Sequence, residues 1–149
     1  MGINKLALTQ DEILRFHQVI EISEKELKSN PGGFIMNKGR IKKFKTDNNI
    51  KLKKVEEVIK HVENNKFLFT QNRSSQGASF IAHIRNAYVH HNISIAGNYF
   101  LLEDYKKIYK NKKITGTVLT AYGRIRRDLL FPLIDCMLED RNENLKKMK

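Results

Sequence analysis

Apolar side chains recur at helical spacing in several stretches of this chain, and most of these stretches are bounded by residues that start or stop a helix. Thr9-Gln10-Asp11-Glu12 has the form of a capping box, in which a hydroxyl and a carboxylate each satisfy an orphan amide. Ile13, Phe16, Ile20 and Leu27 follow on one face. This predicts a first helix ending near Ser29, stopped by Asn30-Pro31-Gly32-Gly33. Residues 34–49 are mixed and basic and read as a loop, the core of a basic connecting region over about 30–49. Leu52, Val55, Ile59 and Val62 form a stripe that predicts a second amphipathic helix from Lys51 to about Asn65, with Phe67-Leu68-Phe69 as an apolar plug behind it.

The polar segment Gln71 to Gly77 then reads as a linker whose Ser75 caps a third helix running to His91. Beyond it the period changes. Tyr99-Phe100-Leu101-Leu102 and Ile114 to Val118 are aromatic and β-branched, and Lys110-Asn111-Lys112-Lys113 between them suits a turn, so a small hairpin is predicted over about 98–118. Thr120 is placed to cap a last helix from Ala121 through Leu138, with Ile125, Leu129, Leu130, Leu133, Ile134 and Met137 inward and a bend at Pro132. The charged tail, about 140–149, is expected to fray. The pattern therefore predicts one predominantly all-α domain, residues 1–149, with about four helices and a hairpin inserted before the last.

Charge changes the picture next. The 149 residues carry 28 Lys+Arg against 16 Asp+Glu, a formal net charge of +12. A field of that sign concentrates nucleic acid or an anionic membrane near the surface. Arg124, Arg126 and Arg127 at the predicted start of the last helix, and Lys42, Lys43 and Lys45 in the basic loop, are candidate contacts. A solvated charged face accounts for them nearly as well. The single cysteine, Cys136, sits among apolar neighbours and reads as a small core residue. No stretch is apolar enough to span a bilayer, and a cytoplasmic location without membrane contact is the expectation.

The third helix carries chemistry that a core helix does not need. Arg85, Asn86 and His90 interrupt an apolar pattern formed by Ile81, Ile84, Ala87 and Tyr88. A guanidinium holds phosphate by a forked pair of hydrogen bonds, and an imidazole moves protons near neutral pH. Winding the helix at about 100° per residue puts His83, Asn86 and His90 on one polar arc, while Arg85 lies about 140° from His90. Either the helix loosens near His90, or a second copy completes the site across a two-fold axis. His91 returns to the apolar arc, where packing or capping competes with chemistry. There is no His-Glu-x-x-His, cysteine pair or acidic cluster, so neither a metal nor another cofactor is predicted.

Arg85-Asn86-Ala87-Tyr88-Val89-His90, followed by Asn92-Ile93, resembles the motif of the HEPN domains (higher eukaryotes and prokaryotes nucleotide-binding), in particular bacterial members tied to defence and toxin–antitoxin systems. The likeness spans about residues 78–94. It implies an up-and-down helical bundle, a homodimer with the motif helices facing a shared cleft, and metal-independent RNA cleavage. Carried over, Arg85 would stabilise phosphate, Asn86 would support it and His90 would be the acid/base, with His91 and His83 as possible auxiliaries. A neutralising antitoxin or similar protein partner belongs to the same expectation. Asn92 stands where members paired with a nucleotidyltransferase antitoxin often carry tyrosine, and His91 stands where a small residue commonly follows the motif histidine. Two further functions stay open at this level, an RNA- or nucleotide-binding module that does not cut and a regulatory helical scaffold.

Overall fold

The computed structural model describes residues 7–30 and 32–147. Pro31, part of the predicted helix stop, lies outside the described residues, as do the first six and last two positions. The capping box forms as the sequence demands. The Thr9 hydroxyl accepts from the Glu12 amide at 3.0 Å, and the Thr9 amide donates to the Glu12 carboxylate at 2.9 Å. From this cap runs α1 (Gln10–Glu21), which passes through a π-helical turn (Ile22–Glu26) into the short α2 (Leu27–Ser29). Phe16 on its inner face stacks on Tyr88 at 4.7 Å between centroids and meets Phe100 and Phe131 edge-on. Such aromatic pairs stabilise by about 0.5–1.5 kcal/mol each beyond the area they bury.

The chain is not a predominantly all-α bundle. A five-stranded sheet runs through it in the order β1-β2-β5-β4-β3, from β1 (Lys51–Lys54), β2 (Lys66–Phe69), β3 (Ile93–Ala96), β4 (Tyr99–Lys110) and β5 (Lys113–Arg126). β1 and β2 are parallel and every other pair is antiparallel. Three helices complete the fold: α3 (Gly39–Asp47), α4 (Gln76–Val89) and α5 (Arg127–Lys147).

Each departure from the sequence expectation has a physical cause. The predicted helix over 51–65 is β1 followed by an irregular crossover, and its supposed stripe is split, with Leu52 and Val55 packed against the core clusters while Ile59 and Val62 are exposed, Val62 by 86%. Val58 from the crossover instead covers Leu68 and Tyr122 on the outer face of the sheet. The apolar plug is β2, whose Phe67 and Phe69 lie in the core on either side of Leu68. Residues 121–126 continue β5, so the last helix begins at Arg127, and Thr120 donates to the Asp104 carbonyl at 3.1 Å instead of capping. Gly123 permits this pairing, because a Cβ there would stand 2.3 Å from the Phe67 ring.

The basic loop contains α3, and the tail does not fray within the described residues. Asp140 accepts from the Ile41 amide at 2.8 Å and so caps α3, while Arg141 is buried with its guanidinium on Glu26 and the carbonyls of Asn30 and Gly32. Arg141 is paired with Glu26, and Asp140 and Arg141 are both hydrogen-bonded, which offsets the cost of burying them. Cys136 is half-buried against the core, and burial pushes its thiol up from the ordinary value. Among the described residues no helix is long and apolar enough to cross a membrane.

Candidate functional site at the α4 to β4 junction

Ser75 caps α4 as predicted, its hydroxyl accepting from the Ala78 amide at 3.1 Å. Phe80, Ile81, Ile84, Ala87 and Tyr88 are buried and fix the helix between α1 and the sheet. That orientation aims the polar arc at β4. His83 is 1% exposed, with Nδ1 at 2.7 Å from the Asp104 carboxylate and Nε2 at 2.7 Å from the Thr70 carbonyl. A carbonyl only accepts, so Nε2 carries a proton. Nδ1 faces the Asp104 carboxylate, so both ring nitrogens are engaged and the contact is closed to solvent.

From this buried pair a chain of hydrogen bonds leads outward. Asn86 donates to Asp104 at 3.1 Å and accepts from Arg85 Nη1 at 2.9 Å, and Arg85 Nη2 reaches Glu24 in the π-helical turn. Among the described residues, Arg85 Nε is buried without a partner. Asp104 sits at a register shift between β4 and β5, where its other oxygen accepts from the Tyr105 amide at 2.9 Å. His83, Asn86 and Asp104 line a cavity of about 440 Å³ with Thr70, Asn72 and Lys106. Tyr105, also in its wall, donates to Glu103 at 2.7 Å, which together with burial pushes its phenol up to about 12. It therefore stays protonated at neutral pH.

α4 closes in a six-residue hydrogen-bonded stop. His90 is the C-cap, its amide donating to the Asn86 carbonyl at 2.9 Å. His91 takes a left-handed φ of 60°, donating to Tyr88, and Asn92 donates to Ala87 at 2.7 Å. This is a Schellman closure, and its left-handed position is the one glycine usually fills. Both imidazoles are exposed, and among the described residues neither makes a side-chain hydrogen bond. The structure thus joins Arg85, Asn86 and His83 in one network. His90 follows one turn after Asn86 and stays outside it.

The candidate basic track divides. Arg126 is forked onto Asp128 at 2.9 and 2.8 Å, Arg127 is forked onto Glu12, and Lys43 pairs with Asp47 at 2.7 Å. Arg124 donates to Asn64 and lies over the Tyr99 ring. Lys45 is partly buried, which lowers its pKa, and Lys42 is exposed. None of the six lines the His83 cavity. The residues that sequence reasoning missed are Asp104, Thr70 and Glu24. Asp104 leaves a signal, since alternation from Phe100 and Leu102 places it on the buried face of β4, where a carboxylate requires a partner.

Comparison of the chain with protein-family models, with curated proteins and with solved structures finds no match. Fold and site therefore stand on their own geometry: a mixed sheet carrying a central helix whose polar end meets a strand carboxylate beside an open cavity.

Proposed function

We propose that this chain is a metal-independent endoribonuclease that shares the HEPN motif chemistry, though not a helical-bundle architecture. The observation that carries the reading is the end of α4: an exposed imidazole at His90, one turn beyond a carboxamide and a guanidinium already oriented by Asp104 and Glu24. The ribose 2′-hydroxyl attacks the adjacent phosphorus, the bond to the 5′-oxygen breaks, and a 2′,3′-cyclic phosphate and a 5′-hydroxyl result. His90 exchanges the proton. Arg85 leaves Glu24 for the phosphate and offsets the charge that grows on its non-bridging oxygens. Asn86 holds Arg85 in reach, while His83 fixes Asp104 from behind and His91 stands beside the reacting imidazole.

Because Arg85 and His90 diverge along one helix, a homodimer with two α4 ends facing one cleft completes the site. The biological setting consistent with this chemistry is cytoplasmic RNA destruction in defence, toxin–antitoxin control or stress, held in check by a neutralising protein. Incubation with mixed RNA in EDTA is expected to give fragments with cyclic phosphate ends. Arg85→Ala and His90→Ala are each expected to cut at least about 100-fold more slowly with unchanged circular dichroism. Equal activity in both variants removes the site, and sedimentation of the monomer alone at micromolar concentration removes the shared cleft.

A second reading, RNA binding without cleavage, is favoured by the complete engagement of the Arg85 Nη groups with Glu24 and Asn86. Persistent intact RNA despite tight binding is its signature.

A further inference from the structure

The β4–β5 ribbon extends well past the sheet. β3 leaves β4 at Leu102 and β2 leaves β5 at Ala121, so from Tyr105 and Leu119 onward the two strands have only each other. A turn with positive φ at Asn111 (52°) and Lys112 (64°) closes the tip, the geometry that a two-residue hairpin loop requires. Residues 105–120 hold five lysines and no carboxylate. Among the described residues, Lys106, Lys107, Lys110, Lys112 and Lys113 make no ion pair, whereas Arg40, Lys43, Lys66, Arg126 and Arg127 elsewhere all do. Ile108, Tyr109, Ile114 and Val118 are exposed between the lysines.

We infer that this ribbon is an arm that binds single-stranded RNA and leads it to the His83–Asn86 cavity. The inference rests on RNA being the substrate, as proposed above. Alternation and register put Lys106 with Val118, Ile108 with Gly116, and Lys110 with Lys113 on one face, continuous with Asp104. Lys106 lines the cavity itself. The other face presents Tyr105, Lys107 and Tyr109, the last 61% exposed. Cations that follow a backbone, interleaved with apolar side chains and the exposed ring of Tyr109, suit unstacked bases. An A-form duplex offers such an arm mainly phosphates and leaves Ile108 and Val118 against water. A second copy of the ribbon is disfavoured by charge, since each ribbon brings five lysines and no carboxylate. A lipid surface is disfavoured by the tip, where Lys110-Asn111-Lys112-Lys113 precedes any apolar side chain.

The test uses the full chain and a fluorescein-labelled 2′-O-methyl oligoribonucleotide that cannot be cut, read by anisotropy over a salt series. Lys106→Gln, Lys110→Gln and Lys113→Gln combined are expected to weaken binding about tenfold or more and to lower the log K against log salt slope by about 2, near 0.7 per phosphate contact. The melting temperature should hold, because the three side chains are exposed. Unchanged affinity and slope overturn the arm and leave the lysines as guards against strand-edge aggregation. Tighter binding of a duplex of the same sequence overturns the choice of occupant, as does arm-dependent sedimentation with phosphatidylserine vesicles when RNA affinity is unmoved. Native protein that binds through the arm and never cuts natural RNA refutes the ribonuclease alone, and a triple variant that still binds normally refutes the arm alone.

Discussion

Glu24 and His91 are the two residues whose replacement separates function from structure, because neither is buried and each constrains a neighbour that the proposed reaction uses. Glu24 occupies the guanidinium of Arg85, so a phosphate must displace it. An ion pair this exposed contributes about 0.2–1 kcal/mol, and Glu24→Gln should raise kcat/KM for RNA by up to about fivefold, measured on a fixed oligonucleotide. A fall in rate would mean that Glu24 positions Arg85 productively. His91 holds a left-handed φ of 60° without being glycine. His91→Gly should stabilise the fold by up to about 1 kcal/mol, seen as a rise in melting temperature. Loss of cutting in that variant would assign His91 chemistry as well as closure. The motif residues themselves are legible in the sequence, whereas Glu24 is not, since nothing local distinguishes it from Glu21 or Glu26.

Between the elements, the contest is between helical and extended readings of short apolar runs. The caps at Thr9 and Ser75 and the turn at Asn111-Lys112 can be read directly, because each is settled within one turn of chain. Residues 121–126 mislead because Ile125 falls into phase with the apolar face of α5, while the two-residue alternation of Ala121, Gly123 and Ile125 spans too few positions to compete. Gly123 is the residue that makes the strand possible. Gly123→Ala places a methyl against Phe67 and the Lys66 carbonyl, and is expected to cost about 1–3 kcal/mol or more, read by denaturant unfolding. An unchanged midpoint would show that β2 can move aside. The same pairing explains why 51–54 is a strand: β2 is already held by β5 and offers its free edge.

Over the whole molecule, the Glu12 and Arg127 pair ties the first helix to the start of the last. Burial works to raise the Glu12 pKa, but the hydrogen bonds from Arg127 and Thr9 outweigh it and hold the group below its ordinary 4.5. A carboxylate lowered by folding stabilises above its unfolded pKa, and that contribution is lost as pH falls through the folded value. The melting-temperature gap between the native chain and Glu12→Gln should therefore be full at about pH 6 and shrink progressively as pH falls below the ordinary 4.5. A gap independent of pH would locate the effect in packing. The sequence by itself determined the first and third predicted helices, the hairpin turn, the positive charge and the Arg85–His90 motif, because capping, periodicity and composition are properties of contiguous chain. Only the tertiary structure decided that β1 and β2 are strands and that β5 runs on through Arg126, that Asp104 receives His83 and Asn86, and that Arg126 and Arg127 are paired while, among the described residues, the ribbon lysines make no ion pair. Strand pairing and burial of the His83–Asp104 contact depend on partners far apart along the chain, and no local pattern records which distant segment will be adjacent.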